Sequence, residues 1–148
     1  MEKVFHLNEI DSVAKELVST ISLHKKEDEG ALVVCFRGDL GSGKTTLTKA
    51  IAKELSIKED IVSPTYVIMK RYSISKDDFE NMFHIDAYRI EKEEEILVLG
   101  WEEIIKDGKN LVLVEWPEKI EKYLPEKRIE IKLTQKSEEE REMVVEKT

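Results

Sequence analysis

The chain has 148 residues, 41% of them hydrophobic and 38% charged, with a formal net charge of −8 at pH 7. That length suits one domain, 1–148, with one sizeable core, and the apolar share argues against disorder. The negative balance excludes a general attraction to nucleic acid or anionic membranes, and no apolar run approaches the roughly 20 residues that span a bilayer.

Residues 1–23 carry charges throughout and lack the apolar centre expected of a secretion signal. Residues 4–7 read as a short strand. Ile10, Val13, Ala14, Leu17, Val18 and Ile21 have helical spacing, with Asn8 as the cap before them. A charged turn over 25–30 precedes the apolar run 31–36, as expected of a strand buried on both faces. The only cysteine, Cys35, lies in that run. A lone thiol cannot form an internal disulfide, so a reducing, cytoplasmic setting is expected, with Cys35 as a small buried hydrophobe. A glycine-rich loop over 38–43 leads into a helix over 44–55. A loop over 60–65, a strand over 66–74, a turn over 76–78 and a second strand ending at Asp86 follow. Residues 90–105 read as a helix interrupted at Gly100. Asn110–Glu115 is another apolar strand, and Pro117–Tyr123 reads as a helix with proline at its first position. Residues 128–133 read as a strand, and 142–146 as a last edge strand.

Gly38, Asp39, Leu40, Gly41, Ser42, Gly43, Lys44 and Thr45 fit G-x-x-x-x-G-K-[ST], with Thr46 next. Glycines let backbone N–H groups turn around phosphates, and the positive end of the following helix adds to the attraction. Lys44 is placed to reach the β- and γ-phosphates, and the Thr45 hydroxyl to ligate Mg²⁺. A buried strand before the motif and a helix after it give the expected context. Strands alternating with helices then predict an α/β, P-loop NTPase-like, three-layer fold. Its sheet should be mainly parallel, with some antiparallel pairing from 66–74 and 79–86. Ligands in such sheets bind beyond the carboxyl ends of the strands. The phosphate loop, Asp86 and Glu115 all fall there.

Mg²⁺ needs hard oxygen ligands, commonly one or two carboxylates with water. Glu115 and Asp86 are the candidates: one to hold the ion, the other to orient the attacking water or sense the γ-phosphate. Thr65, stiffened by Pro64, sits where a threonine could contact the ion and the γ-phosphate. His84 should share a strand face with Asp86 and reads as a hydrogen-bonded structural histidine. Arg89 reads equally as a phosphate or partner contact and as a surface ion pair, whereas Trp101 and Trp116 read as core. The guanine-reading N-K-x-D is absent, so ATP is the expected nucleotide. The arginines, five in all, do not cluster into a kinase lid. A small-molecule or nucleoside P-loop kinase remains the alternative, and a nucleotide-gated binding module without useful turnover a third reading.

GDLGSGKTTLTKA, SPTY, HIDAYR, LGWEEI and VEWPE, in that order, resemble the tRNA threonylcarbamoyladenosine biosynthesis ATPase family (TsaE). The resemblance covers about 36–133 and departs from the family pattern at Trp101. It implies that Lys44 and Thr45 bind ATP and Mg²⁺, that Glu115 is the metal-binding acid, and that Asp86 is a second acid of the active site. It also implies a switch-like loop at Ser63, Pro64 and Thr65 and an adenine-contacting region near 8–10. The implied role is ATP hydrolysis in support of a complex that threonylcarbamoylates the adenosine next to the tRNA anticodon. The implied partners are the transferase subunit and its inactive paralogue; the net charge of −8 adds the expectation that tRNA is met only through the complex and that no membrane is involved.

Overall fold

A computed structural model describes residues 1–25, 30–59, 68–74 and 79–147. Seven strands form one sheet: β1 (Glu2–His6), β2 (Leu32–Arg37), β3 (Met69–Ser73), β4 (Asn81–Asp86), β5 (Asn110–Glu115), β6 (Ile129–Gln135) and β7 (Glu140–Lys147). The helices are α1 (Ile10–Lys25), α2 (Lys44–Glu54) and α3 (Trp101–Lys106), with 3₁₀ segments at Leu7–Glu9, Glu93–Leu99 and Pro117–Tyr123. The order across the sheet is β1-β7-β6-β2-β5-β4-β3. The middle strands β6, β2, β5 and β4 run parallel, and β3, β7 and β1 pair antiparallel on the flanks. The α/β class, the parallel centre and the antiparallel β3–β4 pair agree with the sequence reading.

Helices cover both faces of the sheet. Leu32, Val34 and Phe36 of β2 pack with α1 and α2, through Val13, Leu17, Ile21, Leu47 and Ile51. Val33 and Cys35 face the other way, into a cluster with Ile96, Trp101, Ile104 and Ile120. Because β2 and β5 are covered on both sides, their sequences are continuous apolar runs. β6 alternates instead, burying Ile129, Ile131 and Leu133 while Lys132 stays exposed. Cys35 is fully buried, and burial pushes its thiol pKa up to about 12. Trp101, the departure from the family pattern, is 1% exposed and donates its indole N–H to the Tyr123 carbonyl at 2.9 Å.

Several local readings change. The strand over 142–146 exists as β7, but it is internal: β1 pairs beside it and takes the edge. Pairing between the first and last strands leaves no local mark in either. The 3₁₀ segment Leu7–Glu9 runs directly into α1, so Asn8, read as the cap, lies inside that segment, and the segment's own cap is His6. His6 Nδ1 accepts from the Asn8 N–H, and the Glu9 carboxylate accepts from the His6 N–H at 2.9 Å. The segment 90–105 holds a 3₁₀ stretch and, after Gly100 with φ +82°, all but the last residue of the six-residue helix α3. Pro117–Tyr123 is 3₁₀ as well. The sequence-predicted loop at 60–65, the turn at 76–78, most of the turn at 25–30 and the start of the strand at 66–74 lie outside the described residues.

Candidate active site

Parallel pairing brings the carboxyl ends of β2, β4 and β5 to one edge. Glu115 is in register with Phe36 on one side and with Asp86 on the other. The phosphate loop leaves β2 immediately beyond Arg37, so the three candidates from the sequence converge. They line a cavity of about 400 Å³ with Gly41, Thr46, Leu7 and Trp116.

The loop geometry requires glycine at two positions. A Cβ on Gly38 would lie 2.5 Å from the Leu133 carbonyl oxygen and 2.6 Å from Ser42 Oγ. Gly43, the residue before α2, has φ +104°, a conformation L side chains rarely adopt. Ser42 is 3% exposed, and its Oγ has no hydrogen-bond partner among the described residues. A tight glycine turn, an orphaned buried hydroxyl and a helix start together fit an anion.

Lys44 is buried, and its Nζ donates to the Gly38 carbonyl and lies 3.5 Å from the Trp116 ring centroid. Burial pushes its pKa below the ordinary lysine value, against the nearby charges of Glu115, Glu118, Asp86 and Asp39. Trp116 sits in the left-handed region at φ +59°, ψ +50°, which costs an L residue about 1–2 kcal/mol. Turned this way, its indole reaches Lys44 and meets Tyr88 at a centroid separation of 5.0 Å. The sequence reads Trp116 as core. It does pack partly there, but it also lines the cavity.

Glu115 is only 2% exposed and both its carboxylate oxygens are engaged. Thr45 donates its hydroxyl to Oε1 at 2.9 Å, and His84 Nε2 lies 2.6 Å from Oε2. Mg²⁺ holds oxygens at about 2.0–2.1 Å in an octahedron, so adjacent ligands stand about 2.9 Å apart. The Thr45–Glu115 pair has that spacing. No cluster of three or more His, Cys, Asp or Glu side chains fit to hold a metal occurs among the described residues. An ion here would therefore complete its shell with phosphate oxygens and water, which suits Mg²⁺.

Asp86 is partly buried and accepts from the Tyr88 N–H at 3.1 Å. Burial raises its pKa above the ordinary aspartate value. The Tyr88 N–H opposes that, and the Glu115 charge adds to the rise. His84 is a hydrogen-bonded buried histidine, as the sequence suggested, and the group it holds is Glu115. Arg89 is exposed and does not line the cavity. Thr65, with Ser63 and Pro64, lies outside the described residues.

Sequence reasoning missed Arg141. It comes from β7, lines the same cavity, and donates from Nε to the Ser42 carbonyl at 3.1 Å. Nothing in an acidic carboxy-terminal stretch marks it. The region near 8–10 does lie close by: Leu7 and Ile10 border the loop beside Gly43 and Thr46.

A family model described as threonylcarbamoyl adenosine biosynthesis protein TsaE matches residues 5–143. The chain is 40% identical over 111 residues to the tRNA threonylcarbamoyladenosine biosynthesis protein TsaE of Bacillus subtilis (strain 168), covering 75% of this chain and 66% of that one. It is also 40% identical over 102 residues to the TsaE protein of Rickettsia prowazekii (strain Madrid E), covering 68% and 67%. The chain thus spans about two thirds of the length of these relatives. The crystal structure of Bacillus subtilis YdiB superposes with a TM-score of 0.66 and 29% identity, over 97% of this chain and 82% of that one.

Proposed function

Because the chain belongs to the TsaE family, we propose that it binds and hydrolyses ATP with Mg²⁺ and so supports threonylcarbamoylation of the adenosine next to the tRNA anticodon. It acts on a transferase complex, the transferase subunit with its paralogue, rather than on tRNA. Residues 1–148 work as one ATPase domain, in the cytoplasm. The observation that carries this reading is the Thr45–Glu115 hydrogen bond of 2.9 Å beside the phosphate loop. It joins the hydroxyl and the carboxylate that a Mg–nucleotide site needs.

Bound Mg²⁺ supplies positive charge to the phosphate oxygens. Thr45 and Glu115 would hold the ion, and His84 fixes the carboxylate from its other oxygen. Lys44 leaves the Gly38 carbonyl for the phosphates, a short move because both belong to the loop. Asp86, the register partner of Glu115 on the neighbouring strand β4, orients the attacking water. Its raised affinity for a proton suits a group that takes one up in passing. Thr65 reports the γ-phosphate, as the family resemblance implies. A net charge of −8 supports indirect contact with tRNA, since phosphate contacts need clustered Lys or Arg. Among the described residues no helix is long and apolar enough to cross a membrane.

The test is Mg²⁺-dependent phosphate release from ATP, alone and with the purified transferase complex. Release that rises with the complex, and nucleotide binding lost in Lys44→Ala, are expected. Release that depends on a small-molecule acceptor would favour a kinase. Unchanged ATP affinity in Lys44→Ala would remove the phosphate-loop reading.

A further inference from the structure

We propose that Arg141 is a positioning residue that sets nucleotide affinity by fixing the phosphate loop from its flank, an inference that rests on the nucleotide-binding reading above. Arg141 is 7% exposed, and none of the ion pairs among the described residues includes it. Its guanidinium is spent on backbone carbonyls. Nε donates to Ser42 O at 3.1 Å, and Nη2 to Gly41 O at 3.3 Å. Nη1 faces the carbonyls of Ser137, Glu138 and Glu140 at 2.9, 3.2 and 3.0 Å. One side chain therefore ties the turn between β6 and β7 to two consecutive peptide units of the loop.

The orientation of those units matters. In a planar trans peptide the N–H points away from the C=O. Holding the Ser42 carbonyl on the Arg141 side turns the Gly43 N–H the opposite way, and Gly43 lines the cavity. Glycine-rich backbone has little preference of its own, since Gly41 at φ +81° and Gly43 at φ +104° sit where glycine moves freely. The direction of the N–H groups must then be imposed from outside, and the five-donor fork of arginine can grip several carbonyls at once. A buried guanidinium without a carboxylate partner among the described residues also leaves positive charge at the loop, and an anion in the cavity would balance it.

The experiment compares wild type, Arg141→Met and Arg141→Lys. Affinities for ADP and for ATP with Mg²⁺ are measured by calorimetry, alongside the melting temperature without nucleotide and the turnover rate at saturating ATP. Arg141→Met should weaken both nucleotides by about tenfold or more while turnover at saturation changes little. Arg141→Lys should fall between, since an ammonium keeps the charge and loses the fork. If Arg141→Met does not fold, Arg141→Lys decides. Wild-type ADP affinity in the folded variants, whatever their melting temperatures, would show a merely structural arginine and overturn this inference alone. No ADP binding by the wild type would overturn it together with the nucleotide-binding reading.

Discussion

His84 and Glu115 meet in the protein interior, Nε2 to Oε2 at 2.6 Å, with side chains 0% and 3% exposed. The other ring nitrogen, Nδ1, has no partner among the described residues. The hydrogen-bond pattern therefore assigns the proton to Nε2, which donates to the carboxylate. Thr45 donates to the other oxygen, so Glu115 is held at both ends.

Replacing His84 with Phe keeps the ring volume and removes that donor. Glu115 Oε2 is then buried without a partner, which costs about 1–3 kcal/mol. Urea unfolding should show a loss of that size, and phosphate release should fall further than ATP affinity. His84→Gln, which can offer an N–H, should recover part of both. Wild-type stability and turnover in His84→Phe would count against the pairing.

Glu115→Gln and Asp86→Asn keep shape and remove charge. If these acids act on the ion and the attacking water, their interactions strengthen mainly in the transition state. Turnover should then fall by far more than ATP affinity. Single-turnover hydrolysis with a parallel binding titration checks this, and wild-type turnover in both variants would refute the site.

Asp86 also predicts a pH dependence. Burial raises its folded pKa above its unfolded value, so the folded state binds the proton more tightly. Its contribution then weakens the fold as pH rises from the ordinary aspartate value through the raised one. Asp86→Asn removes this term. Without nucleotide it should be more stable than wild type near neutral pH, and the difference should shrink towards about pH 4. Urea midpoints across that range measure it, and a parallel pH profile for the two proteins would contradict it.

Gly38→Ala tests the loop geometry. The new methyl would meet the Leu133 carbonyl at 2.5 Å, a backbone atom that cannot swing aside. Backbone shifts of this kind cost about 1–3 kcal/mol. Thermal unfolding should show that loss, and nucleotide-induced stabilisation should disappear. A fully stable variant that still binds ADP would show the loop to be looser than its contacts indicate.

The partner should read the nucleotide state. ATP is expected to strengthen binding to the transferase complex and ADP to weaken it, with Thr65→Ala blunting the difference. Surface plasmon resonance with immobilised complex measures the three states. Equal affinity with ATP, ADP and no nucleotide would refute the switch, and tight tRNA binding by the isolated chain would overturn the charge argument.

Local order was readable because it is written in neighbouring residues. The apolar runs of β2 and β5 announce doubly covered strands, and G-x-x-x-x-G-K-T between a strand and a helix announces a phosphate loop. Asp86 and Glu115 were found as strand-end acids, since parallel sheets gather such ends at one edge. Tertiary structure alone decided the rest. Arg141 reaches the loop because β7 lies between β1 and β6, a pairing of distant segments that no local pattern encodes. His84 became the partner of Glu115 only when the β4–β5 register set their side chains on one face. Trp116 reached Lys44 through a left-handed backbone turn that its sequence neighbours do not dictate. Propensity and spacing act over a few residues, whereas strand order and register follow from burying the whole set of apolar faces at once.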